Sequence, residues 1–419
     1  MTMKKKALLI LLSVLASLLL IALIYALICT VRFTLLKDTG LPRLDIDTGG
    51  IKIRSKEEYV PCTVNLSGAE SEFCFDDLSA GIRGRGNDTW KFYPKKPYRI
   101  KFDEKVSIFG EEKNKSWVLL AMYNDYSLLK DRLAFGMSET LGTAPYSPSY
   151  NYVEVYLNGR YNGVYLLTDQ VDENKGRSGV KEDFTAEDIA VPFLVELDAR
   201  AAEEGAEGEV WFYAGDCKYL IKYPEPDERY TDAQFEYVEG YINKCEALCR
   251  KSGVTMSELS EYIDMESFID FYIVEELMGQ PEINWKSVFM SKSKDGLLKM
   301  GPVWDFDWSA VGPYIGKYRL DYKDEIEGLR SSENWFRRLY DNSPEFRKAL
   351  AERWIEVKPL LLETVSRVRE ENSYILKAAK RDYLRWHWYE LRPYSKAVEE
   401  NLEWVEKRAK WLDKAFSND

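Results

Sequence analysis

The sequence predicts an α+β protein, rich in antiparallel sheet through its N-terminal half and in helix through its C-terminal half, preceded by one transmembrane helix. Three observations predict it. From Leu41 to about Leu120 apolar and polar residues alternate with a period of two, as in Ile51-Lys52-Ile53-Arg54 and Tyr98-Arg99-Ile100-Lys101-Phe102, with Gly or Asn as punctuation. From Pro344 to Phe416 the chain is charged, periodic and almost free of glycine, which reads as three helices. Ahead of both, the run from Ala7 to Cys29 holds 23 residues without a charge, fifteen of them Leu, Ile or Val.

At about 1.5 Å per residue that run spans roughly 34 Å as a helix, enough to cross a ~30 Å hydrocarbon core with slight tilt. Each central aliphatic residue favours insertion by roughly 0.3–0.6 kcal/mol, and no buried charge opposes it. A cleaved signal peptide has a shorter apolar stretch, about 7–15 residues, and a small-x-small exit. Here the run ends Ala26-Leu27-Ile28-Cys29-Thr30, and bulky Ile28 stands where a lipoprotein signal needs a small residue before its cysteine. The segment is therefore expected to remain as an anchor. Lys4, Lys5 and Lys6 are expected to hold residues 1–6 in the cytoplasm and to send everything after Val31 outside it. Residues 7–29 are the transmembrane helix in this reading, and 30–40 a juxtamembrane linker.

Strands are expected through the alternating region, followed by a helix from Ser127 to Leu141 (SLLKDRLAFGMSETL) that stops at Gly142. Asn158-Gly159 sits between Tyr152-Val153-Glu154-Val155-Tyr156 and Gly163-Val164-Tyr165-Leu166-Leu167, a strong hairpin signal. After Asp172 a polar loop to about Asp188 precedes strands at 193–198 and 209–223. Helices are expected from Thr231, a cap residue, to Lys251 and from Met256 to Met278, the second broken near Asp264. A last hairpin, VFMSKSKDGLLKMGPVW, turns at Asp295-Gly296. No internal repeat or low-complexity linker interrupts this order, so the halves form an α+β architecture.

The formal net charge of −12 excludes nucleic acid as a partner, because phosphate binding needs concentrated Lys and Arg. The 28 Tyr and 12 Trp supply core, or contacts to carbohydrate or peptide. Of the cysteines beyond the anchor, Cys62 and Cys74 flank an expected hairpin, where a bridge is geometrically plausible outside the cytoplasm. Cys245 and Cys249 lie i,i+4 on a helix. The single histidine, His387, is far from either pair, and neither CxxC, HExxH nor G-x-S-x-G occurs. A transition-metal enzyme or a triad hydrolase is accordingly disfavoured.

Three polar segments invite a chemical reading. Arg83-Gly84-Arg85-Gly86-Asn87-Asp88-Thr89-Trp90, followed by Lys95-Lys96-Pro97-Tyr98-Arg99-Ile100-Lys101, places glycines beside cations and sets Arg99 and Lys101 on one strand face. It reads as a phosphate or carboxylate cradle, or equally as a solvated basic hairpin. Gly301-Pro302-Val303-Trp304-Asp305-Phe306-Asp307-Trp308 sets two carboxylates between aromatics just after a strand. Buried charges there need a partner, and Asp-x-Asp offers the hard oxygens that Mg²⁺ or Ca²⁺ takes, with structural ion pairing as the plain alternative. Glu275 to Ser287 is a helix end running into a polar loop. Loop acid, hairpin and Asp-Phe-Asp in succession follow the order of the catalytic and metal loops of a kinase.

In this order the chain resembles the spore-coat protein H kinase family, the CotH kinases. The resemblance covers roughly Leu41 to Phe346 and rests on RGRGNDTWKFYPKKPYRIKF, SWVLLAMYNDYSLLKDRLAF, VEVYLNGRYNGVYLLTDQVD and GPVWDFDWSAVG. It implies an atypical, atrophied protein-kinase-like fold over 41–346, with 347–419 as a C-terminal helical extension. It also implies a bacterial enzyme that binds ATP with Mg²⁺ or Mn²⁺ and transfers the γ-phosphoryl group to protein Ser or Thr. Carried over by position, Asp305 resembles the metal-binding aspartate, with Asp307 beside it, and Glu282 stands in the catalytic-base position. Lys101, or its neighbours Arg99 and Lys96, resembles the basic strand residue on the phosphates, with Arg83 and Arg85 completing the cradle. The chain departs from the family pattern twice, with Glu282 where Asp is expected and Ser287 where a metal-binding Asn is expected. The function implied is a membrane-anchored kinase of surface or spore-coat proteins. The alternative is a catalytically weak scaffold that binds envelope or coat partners, and a glycosidase built on paired carboxylates has no motif to support it.

Overall fold

The computed structural model describes residues 3–201, 210–224, 231–311, 321–324, 326, 334–387 and 393–417. It opens with helix α1 (Met3–Leu35), in which the most apolar stretch of Ile10–Leu35 has a mean hydropathy of 2.8 and is not buried at all. By length and composition α1 can cross a membrane, as a signal sequence of that length also could. Its last turn is fastened to the folded chain. Phe33 meets Tyr161 edge to face at 5.5 Å, and the Arg381 guanidinium stands 5.0 Å from the Phe33 ring and 3.8 Å from that of Tyr161.

The alternating segment forms β1 (Arg43–Asp47), β2 (Val60–Ser67), β3 (Phe75–Gly84), the short helix α2 (Asp88–Phe92), β4 (Tyr98–Val106) and β5 (Asn114–Leu120). Helix α3 (Lys130–Leu141) ends at left-handed Gly142, and β6 (Asn151–Leu157) and β7 (Arg160–Asp169) follow as the expected hairpin. These strands close into a seven-stranded barrel of order β1-β2-β3-β4-β5-β7-β6. Every second residue, including Leu44, Val64, Ile82, Ile100, Phe102, Trp117 and Val155, fills its interior. Two expectations are corrected here. The N-terminal part is a closed barrel rather than a typical kinase lobe, and it is not wholly antiparallel, because β1 also pairs parallel with β6. Closure spends both edges of the sheet, and it depends on a pairing between strands about a hundred residues apart that no local pattern announces.

The second sheet contains β8 (Phe193–Leu197), β9 (Trp211–Ala214) and β10 (Cys217–Tyr223). After helices α4 (Asp232–Arg250), α5 (Met256–Leu259) and α6 (Met265–Met278), the hairpin β11 (Val288–Lys292) and β12 (Lys299–Met300) completes it in the order β12-β11-β8-β10-β9. Thr231 caps α4 with a reciprocal box to Gln234, and Asp264 caps α6 by accepting from the Ser267 N–H, which is why the helix breaks there. All of α6 except Glu266 is buried. Helices α7 (Trp335–Asn342), α8 (Pro344–Glu371), α9 (Leu376–Trp386) and α10 (Tyr394–Ala415) follow, the last three in place of the expected three-helix tail. They pack into the same apolar core as α3 and α6, and the buried Arg408 reaches Glu276 on α6 at 3.2 Å.

All six cysteines are free, so the bridge expected between Cys62 and Cys74 does not form. The register explains it. Cys62 lies opposite Ala80, six residues beyond Cys74, which at about 3.3 Å per residue leaves them roughly 20 Å apart.

Helix α9 is locked to the barrel by one buried ion pair. Lys95 donates to the Asp382 carboxylate at 2.8 Å and to the Val164 carbonyl at 2.5 Å, and Asp382 also accepts from the Val164 N–H at 2.8 Å. Gly163, at φ +123°, makes room for it, since a Cβ there would stand 2.5 Å from the Asp382 oxygen and 2.9 Å from the Lys95 chain. Removing one member leaves the other charge buried without compensation. Asp382→Ala is therefore expected to destabilise the full chain in detergent by about 3–5 kcal/mol in chemical denaturation.

Candidate active site

The segment after β12 turns at Asp305, which adopts the left-handed conformation (φ 69°, ψ 51°) that Asp tolerates better than most residues, and continues as a 3-10 turn over Phe306–Trp308. Other elements hold the turn. The Phe306 N–H donates to Asp131 at 2.9 Å, Lys130 donates to the Asp307 carbonyl at 3.0 Å, and Gln280 donates to the Asp305 carbonyl at 2.7 Å. Ser287, also left-handed, donates its hydroxyl to Asp305 at 3.2 Å. Lys286 stands 2.9 Å from Glu282 and 3.9 Å from Asp305.

Asp131, Lys286, Ser287, Asp305 and Asp307 border a cleft of about 230 Å³ between the outer wall of the barrel and the second sheet, and Glu282 stands behind that lining, in contact with Lys286. Arg85 and Asn87 line it from the barrel side, Glu196 and Lys286 from the sheet side, and Asp131, Asp305 and Asp307 from the turn and the start of α3. A larger hollow of about 670 Å³ lies by Arg132, Tyr150 and Glu371, but none of the expected site residues lines it. The chemistry places the site in the smaller cleft.

Its electrostatics are dominated by acids gathered around Asp305. Burial, then the charges of Asp305 and Asp125, push the Asp131 carboxyl up to about 7 against the pull of the Phe306 N–H. Glu282 is likewise pushed up to about 7, by burial first and Asp305 second, with Lys286 opposing. Asp307 is raised well above the carboxylate range by burial, then by Asp305 and Asp131, and Glu275 by burial, Glu276 and Asp305. On the cationic side, burial lowers Arg85 and Lys130 while the surrounding aspartates hold them up. Lys286 is buried too, yet Asp305 and Glu282 outweigh that and leave it raised.

Of the residues expected from the sequence, Glu282, Ser287, Asp305 and Asp307 are brought together, and Arg85 faces them across the cleft. Arg83 and Arg99 lie directly opposite each other on β3 and β4, outside the cleft lining. Lys96 turns to the Trp90 carbonyl and ring, and Lys101 is exposed on the barrel wall. The sequence reading missed Lys130, Asp131, Lys286 and Glu196. Lys130-Asp131 carried a signal, since with Arg132 they put three adjacent charges inside the otherwise apolar run Leu128 to Phe135, which is costly in a helix that packs against a core.

The donor set is all hard oxygen. Among the described residues no three His, Cys, Asp or Glu side chains converge as a metal cluster. That suits Mg²⁺ or Mn²⁺ with a nucleotide, since Mg²⁺ in phosphoryl-transfer sites takes one or two carboxylates and completes its shell from phosphates and water. Glu282 Oε2, behind the cleft lining, is buried without a hydrogen-bond partner among the described residues. Asp305 and Asp307 fit such an ion, whereas the Ser287 hydroxyl is spent on Asp305.

The raised Asp131 carboxyl makes stability depend on pH. Its acid form is favoured by folding, so its contribution is full below the unfolded value of 3.8 and is lost as pH rises to about 7. Asp131→Asn keeps an acceptor for the Phe306 N–H and removes the titration. The variant is expected to be more stable than the parent at pH 8, by up to about 4 kcal/mol, and to lose that advantage by pH 4 in denaturation curves.

No curated protein matches the chain. A protein-family model described as CotH kinase protein matches residues 82–412, a span that includes β4, every residue lining the cleft and the helices α8 and α9. The chain therefore belongs to the CotH kinase protein family.

Proposed function

We propose that this protein is a membrane-anchored kinase that transfers the γ-phosphoryl group of ATP to Ser or Thr of proteins outside the cytoplasm, at the cell surface or in a spore coat. The observation that carries the reading is the cleft itself, where Asp305 and Asp307 face Arg85 with space between them. A bound Mg²⁺ or Mn²⁺ would neutralise the phosphate charge that builds up during transfer. Asp305 and Asp307 hold that ion, and Arg85 pairs with phosphate oxygens from the opposite wall. Glu282 accepts the proton of the acceptor hydroxyl. Lys286 fixes its Oε1 at 2.9 Å, its buried Oε2 has no partner among the described residues, and a carboxyl pushed up to about 7 is well matched to a general base near neutral pH. The longer Glu in place of Asp is accommodated by this tether, which sets where its oxygens lie. The apolar, unburied α1 supports the anchor, and the lysines before it support an N-terminus in the cytoplasm.

One observation favours a scaffold instead, the engagement of the Ser287 hydroxyl by Asp305 at the position where the family pattern has a metal-binding Asn. Nucleotide binding separates the two. With ATP and Mn²⁺ at about 100 times the dissociation constant, an enzyme gains roughly 2.7 kcal/mol of stability, read as a higher melting temperature, and a scaffold gains none. The full chain in detergent is also expected to transfer labelled phosphate from ATP to itself or to a surface or coat protein. Asp305→Ala should abolish transfer. Glu282→Gln should reduce it by about 10²–10⁴-fold and erase a rise in rate centred near pH 7. Transfer that survives Asp305→Ala would defeat the assignment.

A further inference from the structure

Beyond the cleft, the outer wall of the barrel carries cations that the nucleotide reading leaves without work. The antiparallel register sets Arg83 opposite Arg99 and Gly81 opposite Lys101, while the Arg85 N–H reaches the Pro97 carbonyl at 3.2 Å. Arg85, Arg83 with Arg99, and Lys101 therefore occupy successive outward positions of one two-stranded ribbon, each step about 6.6 Å from the last. Only Arg85 lines the cleft.

Like charges directly opposite each other destabilise a sheet, and a buried guanidinium nitrogen without an acceptor adds to that cost. Both occur here. The Nε atoms of Arg83 and Arg99 are buried without a hydrogen-bond partner among the described residues, and no carboxylate there pairs with Arg83, Arg85, Arg99 or Lys101. Among the described residues the one polar bond of the Arg99 side chain is to the Ser116 hydroxyl at 3.0 Å. Asp172, a carboxylate whose charge acts on Arg99, is committed to Arg177. In a chain of net charge −12 with so many surface acids, a row of unpaired cations is unusual. Tyr59 completes the surface. Its ring lies over the bare backbone of Gly81, where a Cβ would come within 3.0 Å, and 5.1 Å from the Arg83 guanidinium.

We infer that this ribbon is the docking track for an extended, acidic segment of the protein acceptor, with Arg83 and Arg99 taking one carboxylate or phosphate group and Lys101 the next. The inference rests on the kinase reading of the cleft, from which the track leads away. A β-strand places alternate side chains about 6.6 Å apart on one face. Acids at every second residue of such a segment would thus meet the cation steps in register while the acceptor hydroxyl reaches the phosphate end. The planar arginine fork suits carboxylate or phosphoserine oxygens, and the Tyr59 ring gives the segment an apolar floor.

The test uses the full chain in detergent and fluorescein-labelled Ser peptides with Glu at every second position, with phosphoserine at the nearest of those positions, or with Gln throughout. Anisotropy without nucleotide should give at least tenfold tighter binding for the two acidic peptides than for the Gln peptide, an advantage that shrinks at high salt. Lys101→Glu, on an exposed side chain, should weaken the acidic peptides several-fold without changing the melting temperature. Arg83→Gln with Arg99→Gln should remove the preference while keeping the melting shift caused by ATP. Equal affinity for Glu and Gln peptides, or loss of the ATP shift in the arginine variant, would overturn the track and return these arginines to the nucleotide. Acidic-peptide binding without any phosphate transfer would leave the track standing and remove the kinase reading instead.

Discussion

Two hydrogen bonds tie the turn at Asp305 to the first residues of α3, Phe306 N–H to Asp131 and Lys130 to the Asp307 carbonyl, and the geometry of the cleft depends on them. Asp305 lies in a left-handed conformation just before a short 3-10 turn, a local structure with little stability of its own. Helix α3 supplies the rigid reference. Asp125 caps its start by accepting from the Ser127 and Lys130 N–H groups, at 2.8 and 2.9 Å, which fixes where Lys130 and Asp131 stand. Helix α3 is packed against both α6 and α8 in the large core. The carboxylates of the turn are therefore positioned by the same packing that holds the helical half together.

That arrangement is expensive, and the expense is informative. After burial, the charge of Asp305 helps to raise the proton affinity of Asp131, Asp307, Glu275 and Glu282, and Lys130, Lys286 and Arg85 offset it only in part. A protein that needed only structural ion pairs there would do better with fewer acids, because desolvation is repaid only when each charge is matched. An excess of buried anion beside a cavity is instead what a site for a cation carrying phosphates requires, since the ligand supplies the missing charge.

Much of this was legible in the sequence, and the limits of legibility have physical causes. The hairpin at Asn158-Gly159, the break before Met265 and the three C-terminal helices follow from turn chemistry, caps and periodicity, which are local. Closure of the barrel and the parallel contact of β1 with β6 follow from pairing between distant strands, which is not. The same division runs through the site. Glu282, Ser287, Asp305 and Asp307 stood out because their segments read as polar loops in a recognisable order. Asp131 and Lys130 did not, because a charged pair on a helix usually faces water, and only the docking of the 305–308 turn makes them interior. Arg83, Arg99 and Lys101 were read as one cradle with Arg85, since a strand face gathers them. What the sequence could not show is that the second sheet covers only the Arg85 end of that face.

The end of α1 and the cleft are joined by an unbroken line of packed groups. Phe33, in the last turn of α1, lies against Arg381 and Tyr161, and Arg381 is held by Glu154 at 3.2 Å. The next residue, Asp382, holds Lys95, which reaches the wall of the cleft. Each contact is buried or aromatic, so each has one preferred geometry and little freedom to swing. The consequence is one of placement. If α1 stands in a membrane, the few residues after Leu35 cannot act as a flexible tether, because the helix end is itself docked on the barrel, and the cleft is held at a set distance and aspect to the lipid surface. On the proposed kinase function an acceptor would then have to come to the cleft at that height, which favours proteins that are themselves bound at the surface over those diffusing freely.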